Sequence, residues 1–314
     1  MQKSKVLGKW LHLVCLACAP LMAGAAPTEI QVVHDGKDNG FDNKVVEFWA
    51  ELLQERSGGD VVLRYDPKDD VTTEQALTDI AEGKNVVALV ALPVLANYAV
   101  NQEMMSILPT EGSDTLFTAY SQALRDQGMR VVMKNYYNGA PLFLAKKPLN
   151  NLRDVAGLRI ATVNDPIQQK LLDDQKATAV VLKPDEVSAA LTYGTVDGAA
   201  GDLFTLYEHG WYEPAKYLSA VGATSTIRVW LGSESFLSGL SPEVQEMLAS
   251  TAQDAGILSH ELAEKYTDEI KQELRDGGVQ MIGFDALDTT LKNGREDGVN
   301  KDLYRMPAAT TMTP

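Results

Sequence analysis

The feature that most constrains this chain is an alternation of short apolar strands and amphipathic helices, written out twice. Glu29-Ile30-Gln31-Val32-Val33 reads as a strand. Asp42 is placed to cap a helix whose Val45, Phe48, Trp49, Leu52 and Leu53 form one apolar stripe, ended by Gly58-Gly59. Val61 to Tyr65 is a second strand, and Thr72 or Thr73 starts a helix that Gly83 stops. Val86-Val87-Ala88-Leu89-Val90 then reads as a strand buried on both faces, closed by Pro93. The same order returns later: a strand over 157–161, a helix opened by Pro166, a strand over 179–182, a helix from Pro184 to Gly194, and Thr195 to Ala199. Short links between such elements call for a parallel sheet covered on both faces, and two copies call for two lobes with a cleft between them.

A third segment ties the two units together. Ser241 is an N-cap, Pro242 suits the first helical position, and Glu243 complements the helix dipole. Val244, Met247, Leu248, Thr251, Ala255, Leu258, Leu262, Ile270 and Leu274 recur at helical spacing up to Gly277-Gly278. Some 36 residues at ~1.5 Å rise make a helix of roughly 54 Å, longer than one lobe is wide. Such a helix braces both lobes, with a bend expected near Gly256.

The N-terminus reads as a targeting segment. Lys3, Lys5 and Lys9 precede an apolar stretch from Trp10 to Ala19, then Pro20 and the small run Ala23-Gly24-Ala25-Ala26. Basic, apolar and A-x-A segments in that order mark a cleaved secretory signal over residues 1–25. The apolar run is shorter than the ~20 residues that a spanning helix needs. Cys15 and Cys18, the chain's two cysteines, leave with it, so the mature protein relies on its core rather than on disulfides. The formal charge of the whole chain is −15, and loss of three lysines and no acid takes it to −18. That balance argues against binding nucleic acid or anionic lipid, which needs clustered Lys and Arg.

Several motifs carry a resemblance. Leu52-Leu53-Gln54-Glu55-Arg56-Ser57-Gly58-Gly59 is one, and the run from Pro148-Leu149-Asn150-Asn151-Leu152 through Gly157-Leu158-Arg159-Ile160 is a second. Glu186-Val187 through Tyr193-Gly194-Thr195-Val196-Asp197-Gly198, Trp211-Tyr212-Glu213-Pro214-Ala215-Lys216-Tyr217-Leu218 and Leu240-Ser241-Pro242-Glu243 follow in register. In this order they resemble the periplasmic solute-binding proteins of tripartite ATP-independent periplasmic (TRAP) transporters, the dicarboxylate-binding-protein family. The resemblance implies an α/β, two-lobed type II periplasmic binding fold with hinge strands and a long bracing helix. Lobe I would comprise 26–142 plus about 228–258, lobe II 143–227 plus about 259–300, and 301–314 a loose tail. It also implies capture of a small-molecule solute in the periplasm and delivery to the TRAP permease membrane subunits, without ATP, cofactor or catalysis. A binding module reporting to a membrane sensor, and an exported hydrolase, are the alternatives.

The family's ligand residues are where this chain departs from the pattern. The family places an Arg two residues after the basic residue of the G-L-[KR]-I strand to pair with a substrate carboxylate; this chain has Ala161. A second family Arg falls near Asn138-Gly139-Ala140-Pro141, an Asn falls at Gly201 and a pocket aromatic at Pro184. Either the ligand is bulkier or uncharged, or an anion is held from elsewhere; an organic acid is the preferred reading. Site candidates then follow from position, because strand C-terminal ends line the cleft in open α/β sheets. These are His34 and Asp35, Leu92, Thr162 and Asn164, and Gly201 and Asp202, with Asp202 also placed to cap the next helix. Tyr136, Tyr137 and Asn138 sit near the crossover, as core or as ligand platform. Arg228, in the return crossover strand, is the substitute partner for an anion, unless it pairs with a surface carboxylate.

Other chemistry is not encoded. His260-Glu261-Leu262-Ala263-Glu264 lacks the second His of a zinc helix, and Asp35 to Gly40 has Lys37 where a calcium loop needs oxygen. No nucleophile elbow, P-loop or dinucleotide glycine motif is present.

Overall fold

The computed structural model describes residues 26–36, 40–66, 71–91, 94–95, 121–137, 139, 142–163, 166–221 and 228–284. The leader, the tail, Leu92, Asn138 and Asn164 lie outside the described residues. The described strands form two sheets, as the duplicated pattern suggests, but each is mixed rather than parallel because a strand arriving from the other sheet enters it antiparallel. The first has the order β2-β1-β3-β10-β4, with β1 Thr28–Val33, β2 Val61–Arg64, β3 Val86–Ala91, β4 Met129–Met133 and β10 Arg228–Ser233. β1 runs parallel to β2 and β3, and β10 lies antiparallel between β3 and β4. β3 is buried along nearly its whole length, which its unbroken apolar run requires of a central strand.

The second sheet has the order β11-β9-β5-β8-β6-β7. β5 is Leu142–Ala145, β6 Arg159–Thr162, β7 Thr178–Val181, β8 Gly198–Gly201, β9 Tyr217–Ser219 and β11 Gln280–Ile282. Here β6 is parallel to β7 and β8, whereas β5 is antiparallel to β8 and β9. The chain therefore passes between the sheets three times: from β4 to β5, from β9 back to β10, and through a long helix to β11.

Helices α1 Phe41–Arg56 and α2 Thr73–Ala81 belong to the first sheet. α3 Pro166–Asp174, α4 Pro184–Tyr193 and α5 Leu203–Glu208 belong to the second. α6 Glu234–Gly239 is short, and α7 Pro242–Asp276 is the bracing helix, 35 residues long. The Ser241 hydroxyl accepts from the Val244 amide at 3.3 Å, so the expected cap forms. α7 packs along α1, where Trp49 Nε1 donates to Thr251 Oγ1 at 3.1 Å and Arg56 pairs with Asp254 at 2.6 Å. Its far end meets the second sheet's elements through Tyr207, which donates to Glu273, and Lys216, which donates to the Gly277 carbonyl at 3.0 Å. No helix among the described residues is long and apolar enough to cross a membrane.

One expectation about helix punctuation is corrected. Asp42 does not cap α1: Gly40 holds the N-cap position, without a side-chain cap, and Asp42 turns inward from the first turn. Gly256 does not interrupt α7, which stays helical through it. The glycine makes room for the outgoing crossover. Asn135 lies so close that a Cβ at residue 256 would come 2.1 Å from its Oδ1. Around this contact Asn135 Nδ2 donates to the Gln253 carbonyl at 2.9 Å and the Tyr137 amide donates to Ser259 Oγ at 2.8 Å. The crossover from the first sheet to the second is thereby seated on the brace.

Gly256→Ala should destabilise the fold by about 1–3 kcal/mol, because a methyl group there forces Asn135 off the helix in a close-packed region. Thermal unfolding followed by circular dichroism should show a melting point several degrees lower. An unchanged melting point would show that the segment yields at no cost.

Candidate functional site

The C-terminal ends of β1 and β3, the first turn of α1 and the start of β10 all point toward the second sheet. Facing them are the end of β8 and the N-termini of α4 and α5. A cavity of about 750 Å³ lies between the two walls. His34, Asp35, Asp42 and Arg228 line it from the first side, and Gly201, Asp202, Glu208 and Trp211 from the second.

Arg228 and Asp42 form the polar centre of the first wall. Arg228 Nη1 donates to Asp42 Oδ2 at 3.0 Å, with the two side chains 22% and 11% accessible. Tyr136 donates its hydroxyl to the other carboxylate oxygen of Asp42, and the guanidinium lies 5.3 Å from the centre of the Tyr136 ring. Burial opposes ionisation of Asp42, but Arg228, His34 and the Tyr136 hydroxyl outweigh it and hold the carboxyl below its usual range. Burial and the neighbouring Asp42 carboxylate push the Tyr136 hydroxyl well up, so it stays protonated and donating. Burial works against the Arg228 charge, and Asp42 more than restores it.

The remaining candidates fall into three groups. His34 sits in the wall with its ring stacked on Tyr65 at 4.3 Å, and its Nδ1 accepts from the Gly36 amide at 3.1 Å. Asp35 opens onto the cavity and takes a hydrogen bond from Thr73 Oγ1 at 3.2 Å. The protein around it and the charges of Asp42 and Glu74 raise its carboxyl above the usual value, against the Thr73 hydrogen bond. Gly201 and Asp202 also reach the cavity. Gly201 is required there because a Cβ would stand 2.8 Å from the Trp211 ring. Asp202 caps α5, accepting from the Phe204 and Thr205 amides, each at 3.0 Å.

Thr162, Tyr136 and Tyr137 lie behind the wall rather than in it. Thr162 is buried and donates to Gln168 Oε1 at 2.5 Å, and it is Gln168 that reaches the cavity. Tyr136 is buried beneath Arg228. Tyr137 packs edge-on against Phe41 and Phe204, with ring centres 5.9 and 6.0 Å away. Ala161, where relatives are expected to carry Arg, is wholly buried in β6.

Residues not singled out from the sequence complete the site. Glu208, at the end of α5, crosses the cleft and accepts from the Phe41 amide at 2.5 Å, at the N-terminus of α1. Beside it Phe41 stacks on Phe204 at 4.3 Å, so an apolar and a polar contact join the walls. Burial, with Asp42 and Asp202 nearby, pushes the Glu208 carboxyl up to about 7 against the opposing Phe41 hydrogen bond. His209 Nδ1 lies 2.8 Å from Asp185 Oδ1 on the second wall. Nothing in the local sequence announces Glu208, or Asp42 as a cleft residue rather than a cap, since their partners are 167 and 186 residues away. Among the described residues no group of three or more His, Cys, Asp or Glu is placed to hold a metal ion.

Two stability measurements follow from these charges. Asp42→Asn should cost about 2–3 kcal/mol, below the 3–5 kcal/mol range of fully buried pairs because cavity water reaches Arg228. Adding Arg228→Met should recover most of that loss in urea unfolding; strictly additive losses would show that the pair is not coupled. Glu208 has the opposite sign from a paired acid. Its raised pKa means no penalty below about 4.5, the ordinary carboxyl value, and a growing one as pH rises through about 7. Glu208→Gln should therefore stabilise the protein at pH 8 by about 1–2 kcal/mol, a figure reduced for solvent screening, and the gain should vanish below pH 4.5. A gain independent of pH would contradict this.

Comparison with known proteins agrees with the two-lobed fold. The chain is 24% identical over 269 residues to the 2,3-diketo-L-gulonate-binding periplasmic protein YiaO of Escherichia coli (strain K12), covering 81% of each chain. It superposes with a TM-score of 0.73 on a TRAP periplasmic solute-binding protein from Ochrobacterium anthropi solved with bound L-fuconate. That match has 27% identity and covers 88% of this chain and 100% of the other. A TRAP periplasmic solute-binding protein from Actinobacillus succinogenes, solved with L-galactonate, has the same fold at 21% identity. Its TM-score is 0.71, over 81% of this chain and 88% of that one. The family model for bacterial extracellular solute-binding protein, family 7 (DctP), matches residues 32–292, and with most of its length matched the chain belongs to that family of TRAP-type solute-binding proteins.

Proposed function

We propose that this chain is the extracytoplasmic solute-binding subunit of a TRAP-type secondary transporter. It captures a small organic acid in the cleft and hands it to the membrane permease subunits, after export and removal of residues 1–25. The observation that carries the ligand class is Arg228: a guanidinium deep in the cleft, reached by water through the cavity, beside the return crossover. A planar fork of N–H donors suits a carboxylate better than an ammonium would. The acids named for the relatives, 2,3-diketo-L-gulonate and L-fuconate, support the same class. With Ala161 in place of the expected Arg, the acid group is gripped from the first wall rather than the second.

Delivery requires that the loaded and empty forms differ. A solute touching both walls favours the closed form by its differential affinity, and the outgoing crossover seated on α7 is part of the hinge. Small-angle scattering should show compaction when a bound organic acid is added, and identical curves at saturation would contradict closure. Arg228→Ala should weaken that acid by ~2–5 kcal/mol, roughly 30-fold or more, in calorimetry. An unchanged affinity would show that the acid group is held elsewhere.

A further inference from the structure

We infer that the cleft selects an organic acid carrying its own positive charge, a zwitterion with an ammonium, quaternary ammonium or amidinium group, over acids of net negative charge. This rests on the proposed capture of the acid group at Arg228 and deepens it. The first observation is that the charge of Arg228 is already answered. Asp42 Oδ2 lies 3.0 Å from Nη1, and the same carboxylate is fixed by the Tyr136 hydroxyl, so the pair is neutral before any solute arrives. A ligand carboxylate on Arg228 therefore adds a negative charge instead of cancelling a positive one.

The second observation is what else lines the cavity. Asp35 on the first wall takes a hydrogen bond from Thr73, and Glu208 on the second takes one from the Phe41 amide. Asp202 is engaged in capping α5. Asp35 is faced by Asp42 and Glu74, with Arg228 as the nearby cation; Glu208 is faced by Asp42 and Lys44 of α1 and by Asp202 before α5. Lys183 also lines the cavity, exposed like Asp35. The cleft thus carries an excess of carboxylate, with Glu208 half-buried and Asp35 at the exposed rim. A cationic group beside Asp35 and Glu208 relieves that excess, whereas a second anion aggravates it.

The third observation is independent of charge counting. The stacked His34 and Tyr65 rings, Phe204 and Trp211 line the same cavity. His34, Phe204 and Trp211 are largely buried, with His34 stacked on Tyr65 and Phe204 on Phe41, so the half-buried Tyr65 is the ring most open to an organic cation. The formal net charge of −15 on the chain also draws cations rather than anions toward the cleft.

Binding of a cation should drive protons off the raised carboxyls, so the sign of proton exchange reads the ligand's charge. The test is calorimetry at pH 7 in phosphate and in Tris. The zwitterionic probes are ectoine, glycine betaine and 4-aminobutyrate; the net-anionic probes are succinate, D-glucuronate and L-fuconate. At least one zwitterion should bind ten-fold or more tighter than every net-anionic acid, with proton release that falls in Glu208→Gln. Asp35→Asn and Glu208→Gln should each weaken the zwitterion about five-fold or more while leaving L-fuconate unchanged or improved, and melting curves confirm that both variants fold. A net-anionic acid that binds more tightly than every zwitterion, with proton uptake, overturns the inference; loss of that acid in Arg228→Ala would still uphold acid capture. A zwitterion whose affinity survives Arg228→Ala upholds the cationic selection and overturns acid capture at Arg228.

Discussion

The ion pair between Arg228 and Asp42 joins parts of the chain that are far apart in sequence. Arg228 begins β10, immediately after the chain returns from the second sheet, and Asp42 sits in the first turn of α1. Tyr136, which donates to Asp42 and lies under the guanidinium, belongs to the outgoing crossover. Three side chains therefore tie the outgoing crossover, the first turn of α1 and the start of β10 to one another. Such a cluster is expensive to desolvate, and removing one member leaves an unanswered charge. The same expense makes it useful, because it keeps a charged group in a deep cleft at a defined place.

The second constraint is mechanical. α7 is one unbroken helix of 35 residues that meets α1 at one end and Tyr207 and Lys216 at the other. The outgoing crossover is pressed onto it where residue 256 has no side chain. The brace and the outgoing crossover docked on its flank thus form one packed unit. Across the cleft, Glu208 and the Phe41–Phe204 stack already touch.

Much of this architecture is legible in the sequence, for identifiable reasons. β3 is an unbroken apolar run because it is buried on both faces, and α7 announces itself through Ser241-Pro242-Glu243 and a long helical stripe. β9 and β11 are three residues each, too short for any periodicity to show. Local signals misled where two structural uses share one residue type. An Asp before an apolar stripe reads as a cap, yet Gly40 took that position and Asp42 serves the cleft. The mid-helix Gly256 serves a close approach by Asn135, which its local sequence does not reveal. Arg228 could be proposed from its place after the crossover, but its counter-ion could not, since a contact 186 residues away leaves no trace in local spacing. Glu208 went unnoticed for the same reason.

Capture of the solute depends on where its acid group sits. A crystal structure with a solute recovered by calorimetric screening tests this most directly. It should place the acid group within hydrogen-bond distance of Arg228, between the two walls, with Asp42 still paired to the guanidinium. A solute held with its acid group on the second wall, or bound outside the cleft, would contradict it.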